Sequence, residues 1–236
     1  MLFRIFHKQT GPHSINEPRE NIFWLSRPLK EYERFPHITL PSPKPIKSTF
    51  NDLLSQRASQ RDFEPREQVK LESLSDILFS GMGIIKEKKG VRRHHPSGGG
   101  LYPLECYIAA YRIESLPSGV YHYEPAHHTL SDLSAIADIS DISRSLIKGA
   151  VPGGDNPAAV LFLTGVWGRS YHKYGEFAYR LALLEAGHMA QNMVLAATAR
   201  DVKCCPSGGF YAEKVSRALD ITHDAEDTIY SLYMGM

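Results

Sequence analysis

The pattern of apolar and polar positions divides the chain into an irregular lead-in and a periodic remainder. Residues 1–47 are rich in proline, charge and aromatic side chains, and their spacing follows no helical or strand period. The prolines disfavour helix and central strand alike. This part reads as an extended arm wrapping a surface. Over residues 1–20 a loose tail accounts for the pattern equally well, whereas Phe23, Trp24, Leu25, Tyr32 and Phe35 need cover. From residue 48 a periodicity sets in. Ser48–Arg57 predicts a short helix capped by Ser48 or Thr49, with Phe50, Leu53 and Leu54 on one face. Leu71, Leu74, Ile77 and Leu78 predict a second, stopped by Gly81.

After a proline- and glycine-rich loop (RRHHPSGGGLYP), ECYIAAYRI and GVYHYEP read as two strands around an LPSG turn, with TLSDL a third. Ile142–Ile147 reads as a weak helix. The unbroken apolar run AAVLFLTGVW, residues 158–167, predicts a strand buried on both faces. Glu176 to Ala199 is the strongest helix, apolar on most sides, which places it in a core or a subunit interface. VKCCPSGGF follows as a strand and glycine turn, Glu213–Leu219 as a short helix and TIYSLYMG as a closing strand. The irregular order of helices and strands predicts an α+β domain over 48–236, preceded by the 1–47 arm.

Composition narrows the function. Lysine and arginine number 27 against 26 acids, a formal net charge of +1, without the basic surplus that phosphate-backbone binding requires. Hydrophobic residues make up 42%, enough for a sizeable core. The three cysteines, Cys106, Cys204 and Cys205, have neither disulfide-framework nor zinc spacing and read as small buried hydrophobes. The N-terminus lacks the apolar stretch of a signal peptide, and no run has the length and apolarity of a membrane span. The expectation is a cytoplasmic protein in a reducing compartment. His94, His95, His127 and His128 lack partnered carboxylate spacing and read as solvated, so no metal is expected. Glu185, His188, Gln191 and Asn192 on the long helix read as satisfying buried polar groups or interface contacts.

Three constellations carry candidate chemistry. In RASQRDF, Arg57 and Arg61 flank Ser59, so two guanidinium forks and a hydroxyl can converge on one phosphate. Alone, they read as solvated cations at a helix end. In HPSGGGLYPLE, three glycines remove every Cβ and let backbone approach a flat ligand, or simply make a flexible loop. It is neither a phosphate-binding P-loop nor a dinucleotide fingerprint, since no Gly-Lys-Ser/Thr follows and it enters a strand. CCPSGGF repeats the Pro-Ser-Gly-Gly turn at the end of an apolar strand. Lys173 and Tyr174 precede Gly175 and the long helix; on their own they read as a surface lysine beside a packing tyrosine.

In this order R-A-S-Q-R, P-S-G-G-G-L-Y-P-L-E, K-Y-G-E…L-L-E-A-G-H, Q-N and C-P-S-G-G-F resemble the nitroreductase superfamily, and more closely its azoline (SagB/McbC-type) dehydrogenase branch. The likeness spans residues 22–235. It implies a mixed, mainly antiparallel sheet flanked by helices, the long helix at a homodimer interface, and FMN held there. By that resemblance Arg57, Ser59 and Arg61 match residues on the phosphate and ribityl side. Pro96, Ser97 and Gly98 match the loop bordering the isoalloxazine, and Ser207, Gly208 and Gly209 the turn near N5 and O4. Lys173 and Tyr174 match the Lys-Tyr pair of the azole-forming branch. The basic residues that often hold the phosphate near the C-terminus of nitroreductases have no counterpart before Met236, so either Arg92 or Arg93 substitutes or the cofactor is held less tightly.

The implied reaction aromatises a thiazoline or oxazoline by removing a proton and a hydride from adjacent ring carbons. The protein must supply a base. Free tyrosine and lysine titrate near 10 and 10.4, and lowering either by about 3 units requires roughly 4 kcal/mol. A position before a helix N-terminus contributes part of that, and each group shifts the other. Either Lys173 or Tyr174 can be the base; Tyr174 is favoured, with Lys173 as its tuning cation. The substrate would ride on a ribosomal precursor peptide or a carrier protein, presented by a cyclodehydratase or synthetase partner. A generalist NAD(P)H-dependent nitro or quinone reductase and a non-catalytic flavin-binding scaffold subunit stand as alternatives.

Overall fold

The computed structural model describes residues 2–12, 29–87, 90–221 and 225–236. Its centre is a seven-stranded sheet of β1 (His37–Thr39), β4 (Leu104–Ala110), β5 (Gly119–Glu124), β6 (Thr129–Asp132), β7 (Ala159–Val166), β8 (Lys203–Ser207) and β9 (Glu226–Gly235). The strands lie in the order β1-β6-β5-β4-β7-β9-β8. Every pairing is antiparallel. A separate hairpin joins β2 (Ile84–Glu87) to β3 (Gly90–Arg93). The central strand β7 is buried throughout, as its unbroken apolar run requires.

Alternation along the strands sends side chains to two helical layers. Cys106, Ile108 and Leu161 join a core against α3 (Leu71–Met82) and α6 (Phe177–Ala199). Tyr107, Ala109, Val160 and Phe162 face the opposite way. They pack with Ile142 of α4 (Ile139–Ser145) and with Val215 of α7 (Ala212–Ala218). Adjacent Cys204 and Cys205 fall on opposite faces for the same reason. α6 lays Ala178, Ala182, Ala186, Met189 and Met193 along one buried stripe at helical spacing. The expected α+β arrangement of helices on a mainly antiparallel sheet is what the chain forms.

α2 (Phe50–Gln56) begins at Thr49 with a reciprocal cap: Thr49 Oγ1 accepts from Asp52 N, and Asp52 accepts from Thr49 N. Of its predicted apolar face only Leu53 is buried, while Phe50 and Leu54 remain exposed.

Several elements differ from the sequence expectation. Leu2–Gln9 forms a helix, α1, where an extended arm or loose tail was expected. It docks on α6, with Phe6 edge-on to Tyr179 and Arg180 donating to the His7 carbonyl. Tyr32 and Phe35 pack against the sheet as expected of the arm; Phe23, Trp24 and Leu25 lie outside the described residues. Gly168–Tyr174 forms a short helix, α5, directly after β7. Seven residues leave too little periodicity for such a helix to show in the pattern. Among the described residues no helix is long and apolar enough to cross a membrane.

Candidate active site at the α5 corner and the β8 edge

The glycine loop and the Lys-Tyr pair meet. A Cβ built on Gly99 would stand 2.6 Å from Tyr174 Oη and 2.7 Å from Lys173 Nζ, so the two polar heads are neighbours directly over this glycine. Gly99 also has φ +66°, so both space and backbone exclude a side chain there. The Lys173 ammonium lies 5.2 Å from the centroid of the Tyr174 ring, and that ring packs edge-on against Phe177. Gly98 rests against Leu181 of α6. Pro96 is exposed, whereas Ser97, partly buried, accepts from the Tyr102 amide at 2.9 Å and closes the loop.

One expectation about this corner is corrected. Lys173 and Tyr174 do not sit on the entry turn of the long helix; they form the last turn of α5. Gly175, at φ 56°, then turns the chain into α6. The nearer helix end is therefore the carbonyl end of α5, whose partial negative charge opposes the electropositive setting inferred from sequence.

A buried polar network holds the corner. Arg169, in the first turn of α5, donates to the Tyr102 carbonyl at 3.1 Å and to Glu105 of β4. The other Glu105 oxygen meets His122 Nε2 at 3.0 Å. Burial alone would raise the Glu105 carboxyl, but the Arg169 charge and the His122 hydrogen bond outweigh it and hold it at about 2. His95 is also buried, not solvated. Its Nδ1 meets the Gly81 carbonyl at 2.7 Å and its Nε2 meets Glu185 at 3.1 Å, so Glu185 does satisfy a buried polar group. His128 is likewise engaged, between Tyr123 Oη and Ser75 Oγ, each at 2.8 Å. His94 and His127 are exposed. Among the described residues no cluster has the makings of a metal site.

Arg93 is buried over the Tyr102 ring, 5.0 Å from its centroid. Burial lowers its pKa, and the charged neighbours acting on it are Glu105, Arg169 and Glu185. Its Nη1 is buried without a hydrogen-bond partner among the described residues.

The remaining predicted residues gather at the edge strand β8. Gln60 N donates to the Cys204 carbonyl at 3.1 Å and Arg61 Nε to Cys205 Sγ at 3.4 Å, which lays the arginine segment alongside β8. Arg57 is partly buried, and Ser59 and Arg61 are exposed. Ser207 ends β8. Its hydroxyl accepts from Gly209 N at 2.9 Å, and its carbonyl accepts from Ser231 Oγ at 2.7 Å. A Cβ on Gly208 would meet nothing within 4 Å, while Gly209 abuts Ala150. Exposed forked donors beside an open glycine turn fit a flat anionic cofactor such as FMN. A separate cleft of about 620 Å³ lies at the far end of the sheet between Tyr111, Arg112 and residues 146–157, away from Lys173.

Sequence reasoning missed Arg169, Glu105 and His122. The only signal for them was a charged residue inside otherwise apolar strand text (LYPLECYIAA), which in a buried strand demands a partner.

Comparison with known proteins gives the family of the chain. The "Putative nitroreductase MJ1384" of Methanocaldococcus jannaschii is 31% identical over 186 residues, covering 78% of this chain and 89% of the relative. The microcin B17-processing protein McbC of Escherichia coli is 26% identical over 230 residues, covering 93% and 84%. Among solved structures, the E. coli microcin synthetase McbBCD complex with truncated pro-MccB17 bound contains a chain with a TM-score of 0.66 at 21% identity, covering all of this chain and 91% of that one. The model of the nitroreductase family matches residues 54–236, and the chain belongs to that family.

Proposed function

We propose that this protein is an FMN-dependent oxidase that converts a peptide-borne thiazoline or oxazoline to the thiazole or oxazole. The observation that carries the reading is the packing of Tyr174 Oη and Lys173 Nζ over Gly99, in the loop that the resemblance assigns to the border of the flavin. Members of the nitroreductase family bind FMN. Arg57, Ser59 and Arg61 would hold its phosphate side, and Ser207–Gly209 with Pro96–Gly98 would border its ring. When bound, FMN supplies the two-electron acceptor for the hydride leaving the ring and passes the electrons to dioxygen.

The chain's own part is to place the ring and move one proton. Tyr174 takes the proton from the ring carbon beside the nitrogen and the acyl group, and the Lys173 ammonium stabilises the phenolate that does so. Such a pair needs shelter from water, and the Phe177 ring against Tyr174 provides an apolar wall.

The sites complete one another across a homodimer. Leu183 and Leu184 on α6 and Phe50 and Leu54 on α2 are exposed. A second copy would cover them. Similarity to a microcin-processing protein, and to a chain of a synthetase complex holding a precursor peptide, supports a peptide substrate presented by a synthetase or cyclodehydratase partner. A carrier-protein substrate fits the same chemistry. Three buried, unbridged cysteines fit the cytoplasm.

The similarity to a nitroreductase at 31% identity favours a second reading, an NAD(P)H-dependent nitro or quinone reductase. The test is to mix the purified protein with a thiazoline peptide or thioester, in air and without nicotinamide. Loss of ~2 mass units is expected from removal of two hydrogens. Turnover only of a nitroarene with NAD(P)H selects the reductase. Protein that stays colourless with added FMN removes both readings, and protein that binds FMN but turns over neither substrate points to a scaffold subunit.

A further inference from the structure

The α5 corner raises a question that its two polar heads do not answer: what fixes them above the glycine loop. α5 is only seven residues long, and a helix of that length is not self-supporting. It is anchored at its start, where Trp167 N donates to the Ala225 carbonyl and Trp167 Nε1 donates to Asp227 at 2.8 Å. That anchor holds the root of the helix, and Trp167 also stacks on Tyr179 of α6.

Arg169 ties the helix to the glycine loop and the sheet. Its guanidinium reaches two different elements, the carboxylate of Glu105 on β4 and the carbonyl of Tyr102 at the end of the glycine loop. Residues four apart lie on one helix face, and Arg169 and Lys173 are such a pair. Whatever holds Arg169 therefore aims Lys173, with Tyr174 one residue on. A 20° turn of the helix would carry a head lying ~6 Å from the axis by about 2 Å. The loop is pinned from the other side by His95, held between Glu185 and the Gly81 carbonyl. Glu105 is fixed in turn by His122. Arg169, Glu105, His122, His95 and Glu185 are buried, so water does not replace the contacts among their side chains.

We propose that the Arg169–Glu105 pair is a positioning element of the active site: it locks the rotation of α5 to the glycine loop and so holds Lys173 and Tyr174 over Gly99. The inference rests on the assignment of those two residues to proton transfer. It goes further by naming two buried residues, outside the ring-contacting set, on which their alignment depends. A forked cation is required. A lysine at 169 can satisfy Glu105 or the Tyr102 carbonyl but cannot bridge both. Glu105→Gln keeps size and one acceptor oxygen while removing the charge that orients the guanidinium.

The experiment uses Arg169→Lys and Glu105→Gln in the full-length, FMN-loaded protein, with two readouts. In azoline oxidation, kcat falls roughly 30- to 100-fold while KM stays within about threefold, the signature of misaligned groups and not of lost binding. In hydrogen exchange, amides of residues 97–102 and 170–175 lose protection together, and the strands β4, β7 and β9 keep theirs. Wild-type kcat in both variants, or unchanged exchange in the two segments, overturns the proposal. So does loss of protection spread over the whole chain, which would make the pair an ordinary structural strut. If the wild-type protein oxidises no azoline, the assigned reaction falls, and the coupled exchange of the two segments still decides whether Arg169 ties them together.

Discussion

The α5 corner and the β8 edge are built in opposite ways. At the corner Arg169, Glu105 and His122 bond in the interior, as do His95 and Glu185, and the space above Gly99 is filled by Lys173 and Tyr174; among the described residues Arg93 Nη1, His122 Nδ1 and Ser170 Oγ are the buried polar atoms there without a hydrogen-bond partner. At the edge Ser59 and Arg61 are exposed, Arg57 is partly buried, and Gly208 borders open space. A site whose groups are satisfied by the chain itself is preorganised, and it serves chemistry that demands fixed geometry. A site of forward-facing donors is organised by what it binds. On the proposed function, the contrast fits proton handling in the first region and anion capture in the second.

The contrast breaks most sharply at the pair itself. Tyr174→Phe and Lys173→Ala are expected to leave a folded, yellow protein and to lower azoline oxidation by about 10²- to 10⁴-fold, the usual worth of a positioned acid or base. Near-normal turnover in both, followed by mass spectrometry of the ring, would remove them from the mechanism. Gly99→Ala comes next. Its Cβ would collide with both heads, so kcat should fall about 10²-fold. Gly100→Ala is the control: it shares the positive φ but meets nothing within 4 Å, so it should cost only roughly 1 kcal/mol in thermal or denaturant unfolding, with kcat kept.

At the edge, Arg57→Ala and Arg61→Ala are expected to weaken FMN binding by roughly 10- to 100-fold each, the value of a charge-assisted hydrogen bond. Fluorescence titration reads this, and the loss should shrink as salt rises. An unchanged affinity in both variants would separate the edge from the cofactor. The smallest effect concerns acid. Glu105 is depressed in the folded protein, so its stabilisation is complete above its ordinary range near 4.3 and is lost as pH falls toward about 2. The difference in unfolding free energy between wild type and Glu105→Gln should be constant at neutral pH and close across that interval.

The two regions also differ in how far the sequence revealed them. The long helix, the buried strand β7 and the capped α2 followed from periodicity and cap chemistry, because each is long enough or marked enough for local pattern to decide it. The arginine segment and the Pro-Ser-Gly-Gly turn were visible as residue types. That they share the β8 edge depended on long-range pairing, which spacing does not encode. α5 escaped notice because GRSYHKY carries no apolar stripe; it is held by Trp167 and Arg169 instead of by a buried face. For the same reason the helix end acting on Lys173 and Tyr174 was read with the wrong sign. Glu105 and Arg169 are far apart in the chain and become partners only when β4 and the segment after β7 are brought side by side.

Trp167 has a practical use. Its indole stacks on Tyr179 at 5.0 Å, and Tyr179 in turn touches Phe6 of α1. The chain has one other tryptophan, Trp24, so replacing that residue leaves a single intrinsic fluorophore at the root of α5. Its emission would report, without any attached dye, when the amino-terminal helix lifts away or the corner changes its tilt during turnover.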